Sequence, residues 1–445
     1  MPPTATAATT TTRSQSPPPG MPLLAQRVAT TSTPGRVSLL RAGCMVLAVV
    51  FAVAGAFGVN RRANAIDDVR TAASQLLALQ DIRVSVVHAD AIASSSYLRS
   101  GQEDPVQRTE YLAEIAKAGD GLVAVSGAAS STDVAQLSAA SRLLGSYVGL
   151  VEQARANNRQ GFPIGAAYQR QANGIVSNSD PQAPDIESSL RAVEASQRDQ
   201  INNALATAHR AGAWLHLSGW LLVLALLGAS LWLARTFRRL INVPIAAAVG
   251  VLLLLLIIGG SIQASAVSNT DGAVKFPLAS ADRAAQARAA AFEARSQEAL
   301  TLINRGNGAA NEVNWQQAGD VVDRAISGGL GSDAGLSDAA SAAYASYSAA
   351  HVEIRDLDNA GDWDQAVAIS LGAQKTPKSI DVVKTFDSFD QLVGKIATGE
   401  GAIASAALSD AVGPLGMLRN IVFLAGLAIA VLVALGCGQR LKEYR

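Results

Sequence analysis

Cysteine is almost absent: Cys44 and Cys437 are the two in 445 residues, and both fall inside long apolar runs. The polar stretches between those runs therefore hold no disulfide and no thiolate zinc site. Histidine is scarce as well. His88, His209, His216 and His351 form no His-x-x-x-His pair and sit beside no glutamate of zinc-helix type. Each is expected to be solvated or to lie at the edge of a core. Charged residues make up 16% and aromatics 5%, and Lys+Arg equals Asp+Glu at 36 each. A chain without a basic field is not a nucleic-acid binder. The glycine-rich stretch 328–335 lacks the Gly-Lys-Ser/Thr ending of a phosphate loop. The acidic stretch 356–364 places Ala360 and Val367 where a calcium loop needs ligands. No run of alternating β-branched residues marks a strand. These gaps leave no cofactor or metal and no catalytic constellation, so the chain is read as a non-enzyme.

What the sequence has is four long apolar runs, at residues 37–59, 213–234, 244–266 and 419–438. Each approaches the ~20 residues that a helix needs to cross a bilayer core of roughly 30 Å. None carries a charge at mid-depth, which argues against an ion channel or a coupled transporter. The first run is too long and lies too far in to be a cleaved leader. Arg13, Arg27, Arg36 and Arg41 precede it, Arg235, Arg238 and Arg239 follow the second run, and Arg440, Lys442 and Arg445 follow the fourth. Short basic segments stay inside, so both termini are expected in the cytoplasm of a multi-pass cell-membrane protein. Arg61 and Arg62 lie on the outer side and run against that rule, from which long translocated domains are largely exempt.

The expected fold is an all-α membrane protein with four transmembrane helices and two extracytoplasmic four-helix bundles. In chain order, residues 1–36 form a disordered cytoplasmic tail rich in Thr, Pro and Ser. Transmembrane helix 37–59, bundle A at 60–212 and transmembrane helix 213–234 follow. A basic turn at 235–243 leads to transmembrane helix 244–266, bundle B at 267–418, transmembrane helix 419–438 and a short tail at 439–445.

The two bundles are read as an internal duplication. Asp104-Pro105 reads as an N-cap with proline at the first helical position. Gly161 and Gly361 read as helix stops. Ser146-Tyr147, Arg155 and Gly161 recur at one offset as Ser346-Tyr347, Arg355 and Gly361.

Three sets of residues are candidates for function. Gly426, Ala430, Ala434 and Gly438 repeat every four residues in the last run, as in close helix–helix seams. Arg235, Arg238 and Arg239 are the basic residues a cytoplasmic partner would read. Asp104, Phe162, Arg305, Asp362 and Trp363 fall in turns expected to lie far from the bilayer, where a partner outside the cell would dock.

A span, an antiparallel external bundle and a second span resembles the plan of a bacterial chemoreceptor protomer, here joined twice in one chain. In its four spans, large helical exterior and minimal cytoplasmic part, the chain also resembles the GlnX family of actinobacterial membrane proteins. That resemblance implies a signal-transducing receptor subunit. It implies an extracytoplasmic solute-binding lipoprotein as one partner, with an amino acid as the signal, and a cytoplasmic Ser/Thr protein kinase as the other. An envelope scaffold or an accessory transporter subunit is the alternative reading of the same layout. Oligomeric state is left open.

Overall fold

The computed structural model describes residues 33–99, 104–178, 182–237 and 242–442. Helix is the only regular structure among them. The order is α1 (Thr33–Tyr97), α2 (Pro105–Ser126), α3 (Ser131–Arg159), α4 (Ile164–Val176), α5 (Ile186–Ala211) and α6 (Ala213–Phe237). Then come α7 (Val243–Ala273), a π-helical turn (Val274–Leu278), α8 (Ala279–Ile303), α9 (Ala309–Ser327), α10 (Ala334–Ala360), α11 (Trp363–Ser370) and α12 (Val382–Lys442). Pro277 sits in the π turn, where the missing N–H breaks the regular ladder.

Local sequence fixes the ends. Asp104 accepts from the Val106 N–H at 2.9 Å ahead of Pro105, so α2 starts where the proline dictates. Asp185 and Ser188 form a reciprocal capping box on α5. Gly161 and Gly361 take left-handed backbone, with φ of 73° and 90°, and stop α3 and α10.

The chain divides into two compact units. One contains the described parts of Met1–Gly58, Ala213–Gly260 and Leu418–Arg445; the other contains Val59–Gly212 and Ser261–Met417.

In the first unit, Phe51, Ala52, Leu222, Leu226, Leu252, Val422 and Ile429 are buried between helices. Leu224, Ile257 and Leu424 face outward, about two-thirds exposed. An apolar face of this kind is matched to lipid rather than water. Among the described residues, four helices are long and apolar enough to cross a membrane, which makes the chain a multi-pass membrane protein.

Helix α12 meets α1 closely here. A Cβ on Gly426 would stand 2.8 Å from the Ala52 Cα. Ala430 is buried and Ala434 half-buried, while a Cβ on Gly438 would meet nothing within 4 Å. The four-residue stripe is thus in contact at its Gly426 end and open at Gly438. Gly426→Leu is expected to disrupt this crossing, whereas Leu427→Ile, on an exposed position, should be tolerated. Thermal melts of the two variants in lipid nanodiscs check this; equal melting would show that the seam does not hold the helices.

In the second unit the helix order after α1 is repeated after α8: two long helices, a short one and a long one. One hydrophobic core runs through both halves, from Leu79, Tyr147 and Leu190 to Phe292, Tyr347 and Phe389. Its axis is the pair α1 and α8. Gln80 Nε2 donates to Asp282, and the Ser94 and Ser296 hydroxyls meet at 3.1 Å. Both contacts have a sequence separation of 202, so the two helices run parallel and in register. Ala284, Ala287, Ala290, Ala291 and Ala294 are all buried on α8. Alanine on every side is what lets a helix lie at the centre of a bundle. A smaller core, with Val69, Leu76, Ile201, Leu278 and Leu408, fills the end of this unit nearest the apolar runs in sequence.

Arg62 is buried at that end. Its guanidinium donates to the carbonyls of Ala208 at 2.9 Å, Gln263 at 3.0 Å and His209 at 3.3 Å. Arg62 is therefore a clamp joining α1, the end of α5 and α7.

Candidate functional site

A cavity of about 340 Å³ opens in the second unit between α1, α2, α8 and α12. Helix α1 contributes His88, with Arg99 just beyond its end; α2 contributes Gln107 and Glu110; α8 contributes Phe292 and Arg295; α12 contributes Phe386, Asp387 and Asp390. Two phenylalanines and six ionisable groups share one small space.

Most of those charges are already matched. His88 lies on the Phe292 ring, centroids 4.1 Å apart, with Glu110 3.4 Å from one ring nitrogen and Glu114 3.5 Å from the other. Burial opposes its charge, but the two glutamates outweigh burial and push the imidazole up to about 9. It is an imidazolium at neutral pH. Asp390 is held by both arms of Arg288. Arg295 donates to the Ser370 carbonyl at 2.9 Å, lies 3.4 Å from Glu298 and covers the Phe386 ring at 5.4 Å.

Behind Arg295 lies a buried ionic chain. Glu298 accepts from the Ser370 hydroxyl at 2.8 Å and from His351 Nδ1 at 2.9 Å. His351 Nε2 reaches Glu312 at 3.2 Å, and Glu312 meets Arg355 at 3.1 Å. Both His351 ring nitrogens face carboxylates, so both donate and the ring is charged. Burial works against this, yet the two carboxylates hold its pKa above the ordinary value. The ring stacks on Trp315 at 3.8 Å. His351 is thus fully buried and ion-paired, which corrects the expectation of a solvated or core-edge histidine.

A second buried acid lies on α1. Asp90 is buried, accepts from Asn173 at 2.8 Å and from Ser296, and leaves its other oxygen without a hydrogen-bond partner. Burial pushes this carboxyl up. The Tyr147 hydroxyl lies next to that carboxyl.

The sequence-derived candidates are scattered. Arg305, Asp362 and Trp363 come together on one shallow cleft with Asp364. The Arg305 guanidinium covers the Trp363 ring at 3.9 Å, and the indole N–H donates to the Leu302 carbonyl at 2.8 Å. Trp363, the first residue of α11, therefore caps the last turn of α8. Phe162 is exposed, and Asp104 serves as the α2 cap; neither lines that cleft. Arg235 is exposed in the last turn of α6. Arg238 and Arg239 lie outside the described residues. The cavity carries no short sequence motif, because its lining comes from segments far apart in the chain.

Residues 65–206 match the family described as actinobacterial sensor domain. The match runs from the part of α1 that follows the first apolar run to within α5. It includes His88, Arg99, Glu110 and Asp90, and it supports a sensor role. No curated protein and no solved structure matches the chain.

Proposed function

We propose that the chain is a signal-transducing receptor subunit of the actinobacterial cell membrane. The helical unit of residues 59–212 and 261–417 faces out and senses a solute, or a solute-loaded binding lipoprotein. The basic turn and the tails face the cytoplasm and present the result to a partner such as a Ser/Thr protein kinase. The subunit itself catalyses nothing. The observation that carries this reading is that α1 combines a candidate span with the start of the sensor-domain match in one unbroken helix. Ligand-dependent packing around such a helix has a covalent route to the span, and small shifts of packed helices are an established switching mode. The recurrence of helix order and of the Tyr147 and Tyr347 positions supports descent from a duplicated half.

The test is photo-crosslinking in intact membranes from Arg235 and from Asp362, followed by identification of the captured proteins. The expected result is a cytoplasmic regulator from Arg235 and an exported protein from Asp362. Capture of exported proteins at Arg235 would overturn the orientation, and capture of an ATPase–permease complex would overturn the receptor reading.

A further inference from the structure

The unit that contains the spans carries arginines, and its described residues include no aspartate or glutamate. Arg36 and Arg235 are exposed and find no carboxylate within it. Arg36 stands at one end of a groove of about 600 Å³ between α1 and α6, lined by Leu40, Gly43 and Leu47 on one side and by Gly228 and Trp232 on the other. Arg235 follows Trp232 by three residues, so it lies on the same face of α6 one turn further on. The gap is particular to this helix pair. A Cβ on Gly43 or on Gly228 would meet nothing within 4 Å. Helices α7 and α12 close on each other instead: Asn242 donates to the Gly436 carbonyl at 3.0 Å, and a Cβ on Gly436 would stand 2.9 Å from Ile245.

We propose that the groove between α1 and α6 binds one acidic phospholipid, with an acyl chain along Gly43 and Gly228 and the phosphate between Arg36 and Arg235. Empty apolar space forfeits dispersion contacts on its walls, and flexible hydrocarbon restores them. At about 1.5 Å per residue, α1 rises about 16 Å from Arg36 to Leu47, close to one leaflet of a bilayer core of roughly 30 Å. That places Trp232 at headgroup depth, where amphipathic rings settle. A zwitterionic lipid would fill the groove but bring its own cation to two arginines. A free phosphate would neutralise the arginines but leave the groove unfilled. An acidic diacyl lipid does both, and basic pockets between transmembrane helices suit such headgroups. This site lies in the span unit, apart from the cavity of the helical unit, and it does not depend on what that unit senses.

The experiment is native mass spectrometry of the full chain, delipidated in mild detergent and titrated with dioleoyl phosphatidylglycerol or dioleoyl phosphatidylcholine. One phosphatidylglycerol should be held at least about tenfold more tightly than one phosphatidylcholine, since each arginine beside an acidic headgroup contributes about fivefold. Arg36→Gln with Arg235→Gln should erase most of that preference; Arg41, Arg238 and Arg239 remain to set the topology. Gly228→Leu should abolish retention of both lipids by filling the groove. Gly250→Leu, at an equally open glycine on α7 outside the groove, should bind as the parent does. Glycerol phosphate, a headgroup without chains, should not displace the lipid at hundredfold excess. The assignment is overturned if the parent holds both lipids equally, or if Gly228→Leu holds phosphatidylglycerol as the parent does. Displacement by glycerol phosphate would also overturn it, because the site would then be one for free anions.

Discussion

Glu298→Gln is expected to lower the stability of the helical unit by about 3–5 kcal/mol, the usual result of removing one member of a buried ion pair. The glutamate is buried and serves His351, Arg295 and the Ser370 hydroxyl at once. Glutamine keeps the shape and abandons two cations. Replacing both partners, Glu298→Leu with His351→Phe, should recover much of the loss, since phenylalanine keeps the stack on Trp315 and removes the stranded imidazolium. Melting of each variant in nanodiscs, followed by circular dichroism, gives the comparison; a double variant no better than the single would show that charge pairing is not what holds this core.

The same chain gives a pH signature. His351 has its folded pKa raised above 6.5, so its contribution is whole below that value and is lost as pH rises through the folded value. Glu298 and Glu312 are lowered from 4.5, Glu298 against its own burial and both chiefly through hydrogen bonds from His351. Their contribution is whole above about 4.5 and is lost as pH falls through their folded values. Stability from this cluster should therefore form a plateau that falls on both sides, and His351→Phe should flatten the alkaline side.

The second large effect is expected at the Arg62 clamp. Arg62→Ala strips a charged donor from three carbonyls, and hydrogen bonds to a charged group contribute about 1.5–3 kcal/mol each. A loss of about 3 kcal/mol or more is expected. Gly212 is the matching half: a methyl group there would fall within the guanidinium of Arg62. Its φ of −64° is ordinary, so space alone demands glycine. Gly212→Ala should thus cost nearly as much as Arg62→Ala, and the double variant no more than either alone. Additive losses would show that the two positions are independent.

Much of the architecture was legible from local chemistry. Apolar runs of span length, the Asp104-Pro105 start and the Gly161 and Gly361 stops each act over a few residues, and the helices follow them. The centre was less legible. Helix α8 shows no apolar stripe because it is covered on every side, so its alanines read as mere composition. The ionic core was hidden because His351 finds its carboxylates 53 and 39 residues away. Trp363 looked like an exposed anchor because its acceptor, the Leu302 carbonyl, lies 61 residues back. The cavity depends on the parallel register of α1 and α8, which no short motif announces.

That register has one more consequence. In an assembly of separate subunits, the meeting of two such central helices obeys mass action and fails when expression is low. Here both belong to one polypeptide, so their encounter is unimolecular and stays complete at any copy number. Covalent joining also lifts the constraint that identical subunits place on each other. A substitution enters one helix without entering the other, and the two buried acids differ: burial raises the Asp90 carboxyl on α1, while Glu298 on α8 is held below its ordinary value, against its burial, by the hydrogen bond from His351. Each central helix then carries its own charge pattern, while the cavity beside them draws its lining from both.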